Sequence, residues 1–168
     1  MTTTLNVWRL ASDNPGHVSL EVGATYISYW PKGPAGKGDV KIGTTHEPNF
    51  PRSYALDRRL EGKPADLQLP MLKLDESAIL KAWAEFKLTP RRYNLIDHNC
   101  STVIAALLEL GSGVEPSFVP GVLIDNHASG WAQRMFLRVR FLSSSITMWT
   151  PDAVLQYAEE INRQGAPA

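Results

Sequence analysis

Asn99 and Cys100 open a run in which Glu109 is the only polar residue between Val103 and Leu110. A helix apolar nearly all round belongs in a core, so the rest of the chain has to wrap around it. Asn99 is a natural N-cap, which makes Cys100 the first helical residue, and Gly111 suits the left-handed position just past the end. Cys100 is the only cysteine of the chain. A thiol there faces unpaired backbone N–H groups and the positive end of the helix dipole, and both favour the nucleophilic thiolate. The same position also suits a small cysteine packed as a hydrophobe. Position alone does not choose between the two.

A length of 168 residues suits one domain, residues 1–168, with a core that needs no staples. Seventeen basic residues cancel seventeen acidic ones. No basic patch points to nucleic acid and no polybasic cluster to a membrane surface. One cysteine excludes an internal disulfide and any multi-cysteine zinc site, and no metal or other cofactor is expected. No apolar run approaches the roughly 20 residues of a membrane helix. Met1 to Leu5 carries no basic n-region and no apolar h-region, so a cytoplasmic protein is expected, with signal-independent secretion left open.

Leu5 to Leu10 alternates as a half-buried strand. After the turn cluster Ser12-Asp13-Asn14-Pro15-Gly16, His17 to Val22 alternates again, with Val18, Leu20 and Val22 on one face and His17, Ser19 and Glu21 on the other. Gly23-Ala24 turns the chain into Thr25 to Trp30, so residues 17–30 predict an antiparallel hairpin. Pro31 to Gly43 is a loop rich in glycine and lysine, and Thr44 to Lys63 shows no period. Ala65 to Leu72 alternates, with Pro70 marking an edge strand. Asp75 caps a predicted helix through Lys87, stopped by Pro90. Trp131 to Phe141 is ambiguous between helix and strand; Thr150 and Pro151 start a last helix. Strands and helices are segregated, which makes the class α+β, an antiparallel sheet packed on the buried helix.

A cysteine nucleophile needs a base that takes its proton and returns it to the leaving group, and histidine titrates in the right range. Of the four histidines, His46 and His127 lie in loop-like stretches and read as surface residues. His98 stands just outside the helix and points away from Cys100, although it can line a cleft. His17 opens a strand and can lean over a helix N-terminus packed on the sheet. Taken alone, an exposed strand-end histidine is its commoner fate.

Two segments together carry a resemblance. Arg92-Tyr93-Asn94-Leu95-Ile96-Asp97-His98-Asn99-Cys100-Ser101-Thr102-Val103, then an apolar helix, Gly111 and a Gly-Val-Glu-Pro segment, resembles the nucleophile region of the PPPDE peptidases. These are permuted papain-fold cysteine hydrolases that include the desumoylating isopeptidases. Gly16-His17-Val18-Ser19-Leu20-Glu21-Val22 and Tyr26-Ile27-Ser28 match their upstream histidine strand and its hairpin partner. The match covers about a quarter of the chain. Histidine before cysteine is the mark of the permutation, and Ser101 stands where the family usually has asparagine.

The resemblance implies a permuted papain-like fold with Cys100 as nucleophile and His17 as general base, then acid. The Cys100 backbone N–H is one oxyanion donor. The second donor has no assignment; Asn99 and His98 are candidates, although Asn99 is also the cap. Ser28 is the nearest polar candidate to orient the imidazole, and an ordinary strand residue is its simpler reading. The implied activity is cleavage of an amide or isopeptide bond in a protein or peptide substrate through an acyl-thioester on Cys100. The alternatives are a bacterial effector of the same fold acting as deamidase, amidase or acyltransferase, and a binding module that has lost catalysis. Nothing in the sequence sets the oligomeric state.

Overall fold

The structure is a computed structural model that describes residues 2–11, 14–33, 43–123 and 145–165. His127, the ambiguous Trp131–Phe141 stretch and most of the glycine- and lysine-rich loop lie outside the described residues. The remainder is α+β. A four-stranded antiparallel sheet carries β1 (Thr3–Trp8), β2 (His17–Val22), β3 (Thr25–Ile27) and β6 (Leu67–Met71), in the order β3-β2-β1-β6. Two short pairs accompany it: β4 (Trp30–Pro31) with β5 (Pro48–Asn49), and β7 (Gly121–Leu123) with β8 (Ser145–Thr147). The described helices are α1 (Tyr54–Glu61), α2 (Glu76–Leu88), α3 (Cys100–Ser112) and α4 (Pro151–Gly165).

Alternation in β1 and β2 gives the sheet two unlike faces. Leu5 lies opposite Leu20 and Val7 opposite Val18, all buried against a core shared with Ile79, Ile104, Leu108 and Tyr157 of the helices. On the other face Asn6 lies opposite Ser19 and Trp8 opposite His17. Both faces are buried, so β1 is not the half-buried strand its alternation predicts. It is one of the two interior strands of the sheet, and its polar face is covered by hydrogen-bonded side chains, as burial of polar atoms demands. Pro70 sits on β6, an edge strand that pairs only with β1.

The hairpin forms with Gly23 at φ +56°, but β3 ends at Ile27 and not at Trp30. Ser28 turns inward, fully buried, and Trp30 leaves the sheet to pair with Asn49.

Helix α3 is the core helix that its composition requires, and Asn99 is its N-cap, accepting from the Thr102 N–H at 2.8 Å. Gly111 is not the residue past its end. The helix continues to Ser112, and Gly113 takes the left-handed cap at φ +68°. Gly111 is small because α2 passes close by: a Cβ there would stand 2.5 Å from Ile79 Cδ1. Capping by Asp75 and Thr150 starts α2 and α4 where expected. Trp8, Trp83, Ile104, Leu107 and Leu108 are buried, and Val103 is partly so.

Candidate active site

His17 is only 1% exposed, which overturns the picture of a solvated strand-end histidine. Its ring is held between Trp8 and Trp30, with centroids 5.5 and 4.6 Å away. Gly16 permits this entry. It has φ +72°, and a Cβ there would lie 2.5 Å from the Trp8 carbonyl and 2.8 Å from Pro151 Cγ.

The partner of His17 is Asp57, which sequence reasoning missed. Its Oδ2 lies 2.9 Å from His17 Nε2. Tyr26 donates to the same oxygen at 2.7 Å, while Ser28 and the Trp30 indole donate to Oδ1 at 3.1 and 2.9 Å. Four donors thus converge on one fully buried carboxylate. Burial alone would raise the Asp57 pKa, but the His17 charge and the hydrogen bonds from His17, Tyr26 and Ser28 outweigh it and hold the carboxyl below its usual range. Ser28, the candidate neighbour of the imidazole, lies beside Asp57, and its oxygen is also 3.1 Å from Nε2.

With Nε2–H directed at a carboxylate, Nδ1 is the ring nitrogen left for Cys100. The two side chains interact by charge and by hydrogen bond. Burial pushes the imidazole pKa down, yet Cys100 and Asp57 together raise it to about 9. The arrangement is a Cys–His–Asp line in which the buried imidazolium is stabilised from both sides.

Tyr93 closes the Cys100 side. Its phenol is buried against Cys100, hydrogen-bonded to the thiol and to the backbone N–H. Burial first and Cys100 second push its pKa well above normal. The backbone of Tyr93 is fixed by a two-bond bridge to His46, at 2.9 and 2.8 Å. Tyr29 packs at a tilt beside it with centroids 5.2 Å apart, and burial and Cys100 push the Tyr29 pKa up to about 12.

The other two candidate oxyanion groups, Asn99 and His98, both have partners already. Asn99 spends both amide hydrogens on the Leu95 and Trp149 carbonyls, at 2.8 and 3.0 Å, and its oxygen on capping α3. A cap so fully engaged has no donor to offer a substrate. His98 is half-buried and places Nε2 3.1 Å from Arg91 Nη1. Burial and then the Arg91 charge lower its pKa.

The Asp57 signal was weak in the sequence. Among Tyr54 to Glu61 the one buried side chain is this charge, so α1 has no apolar period to detect. An acid in the first turn of a helix ordinarily reads as a complement to the dipole. Among the described residues no group of three or more His, Cys, Asp and Glu could hold a metal, and no helix is long and apolar enough to cross a membrane. No protein-family model matches the chain, and comparison with curated proteins and with solved structures finds no match.

Proposed function

We propose that the chain is a cysteine hydrolase of permuted papain-like architecture that cleaves an amide or isopeptide bond in a protein substrate. The observation that carries this reading is the buried Cys100–His17–Asp57 line, with His17 Nε2 2.9 Å from Asp57. Nothing in hydrophobic packing calls for a buried imidazole braced by a carboxylate that four donors serve. Nucleophilic catalysis does.

In this reading each residue has its own role. Cys100, as the thiolate of an imidazolium pair, attacks the carbonyl carbon and forms the C–S bond. His17 gives its Nδ1 proton to the leaving amine as the C–N bond breaks. Water, deprotonated by the now neutral His17, then hydrolyses the thioester. Asp57 fixes the ring and the tautomer throughout and stays ionised. The Cys100 N–H at the head of α3 is one oxyanion donor. Tyr93 is the second: when a carbonyl oxygen takes that N–H, the phenol is released from it and its O–H donates to the same oxyanion.

Cys100 is 3% exposed, so its cover has to move before an acyl group reaches the sulfur. That burial is what favours the second reading, a binding module that keeps the fold without turnover. Intact-mass analysis after incubation with a proteome extract separates the two. The hydrolase leaves a hydroxylamine-labile acyl adduct on Cys100, increased by His17→Ala if deacylation is the slower step for that variant, and absent from Cys100→Ser. A chain that never acquires such an adduct is the binding module. Effector-type chemistry would use the same adduct: a deamidase or amidase differs in its leaving group, ammonia or a small amine, and an acyltransferase in its acceptor.

A further inference from the structure

Tyr26, whose hydroxyl donates to Asp57, also lines a cavity of about 530 Å³. Three cationic side chains, Lys32, Arg52 and Lys87, stand around it, and Phe50 and Trp83 form its apolar wall. Among the described residues no aspartate or glutamate lines it. The chain as a whole is neutral, with 17 residues of each sign, so this is a local excess of positive charge and not the overspill of a basic protein. Glu47, which precedes the lining residue Pro48, pairs with Arg92 at 2.5 Å. Lys87 already lies over the Trp83 ring, 5.6 Å from its centroid, which shows the wall accepting a charged group above an aromatic face. The cavity joins the site on two routes. Tyr26 reaches Asp57, and Phe50 stacks on Tyr29, which packs beside Tyr93.

We propose that this cavity is a subsite for an acidic segment of the protein substrate. Carboxylates of that segment lie among Lys32, Arg52 and Lys87, and an apolar neighbour lies against Phe50 and Trp83. Calling the occupant a substrate rests on the reading of Cys100 as a nucleophile; the binding itself does not. The sign of the charge sets specificity more than affinity, because each exposed ion pair contributes little and is screened by salt.

Isothermal titration calorimetry on the full chain tests this with a blocked hexapeptide alternating glutamate and phenylalanine, against its glutamine counterpart. The acidic peptide is expected to bind about tenfold tighter or better at low salt, with the difference shrinking as salt rises. Arg52→Gln with Lys87→Gln, both exposed positions, is expected to abolish the difference while circular dichroism stays unchanged. Equal affinities for the two peptides, or an unchanged preference in the double variant, would overturn the proposal. Displacement of the acidic peptide by inorganic phosphate at equal concentration would overturn it too, and would make the cavity a phosphate site. Failure here with His17-dependent labelling of Cys100 intact removes the subsite alone. Acidic-peptide binding with labelling indifferent to His17 removes the catalysis and leaves an acidic-peptide cleft.

Discussion

Asp57 decides how much the His17 imidazole can do. Burial pulls the pKa of the ring down, and Cys100 and the carboxylate together take it up to about 9. Asp57→Asn keeps the shape and removes one of the two charges. The His17 ring should then titrate well below 9, which ring-proton NMR against pH would record, and stability should fall by about 3 kcal/mol as a buried pair is broken. Tyr93→Phe tests a different role. Loss of an oxyanion donor should slow acylation about a hundredfold, while alkylation of Cys100 by iodoacetamide stays within a few-fold. Equal losses in both assays would make Tyr93 a packing residue. Of these residues only Ser28 was readable from the sequence as a candidate neighbour of the imidazole, with an ordinary strand residue as its simpler reading. Tyr93 belonged to a matched motif without a role, and Asp57 lay 40 residues away in a stretch with no period.

Elements were more legible, because their signals are local. The caps Asn99, Asp75 and Thr150 each accept a backbone N–H within their own helix, and the alternation of β2 placed His17 opposite the core face. Where the reading of an element failed, tertiary contact had overridden it. Gly111 looked like a helix end and is instead a close-approach position, with Ile79 where a side chain would go. Gly111→Ala should therefore lower the thermal midpoint despite the better helix propensity of alanine, by the equivalent of about 1–2 kcal/mol. Ile79→Val, which removes the nearest atom, should recover part of the loss in the double variant. Additive losses would contradict the packing argument. Helix α1 escaped detection for the opposite reason: it contributes a carboxylate to the interior and leaves Leu60 half-exposed.

At the scale of the whole molecule, the sheet has an apolar face for the core helices and a polar face folded over the site. That second face makes stability depend on acid. A carboxyl held below its usual range stabilises the fold above about pH 4 and loses that contribution as pH falls through its lowered value. The wild-type thermal midpoint should fall on acidification, and Asp57→Asn should flatten that arm; parallel curves would assign the acid lability elsewhere. The fold class came from segregation of strands and helices, while the meeting of residues 17, 28, 57, 93 and 100 depends on sheet order and on α1, which no single-sequence pattern encodes. The central claim is that Cys100 is a nucleophile activated by His17. Its most direct test is the second-order rate of Cys100 alkylation by iodoacetamide at neutral pH, in wild type and in His17→Ala, with circular dichroism to confirm that both are folded. Wild-type labelling well above that of a free thiol, slowed at least tenfold by the substitution, is the predicted result. Slow labelling that His17→Ala does not change would contradict the account and leave Cys100 a packed core cysteine.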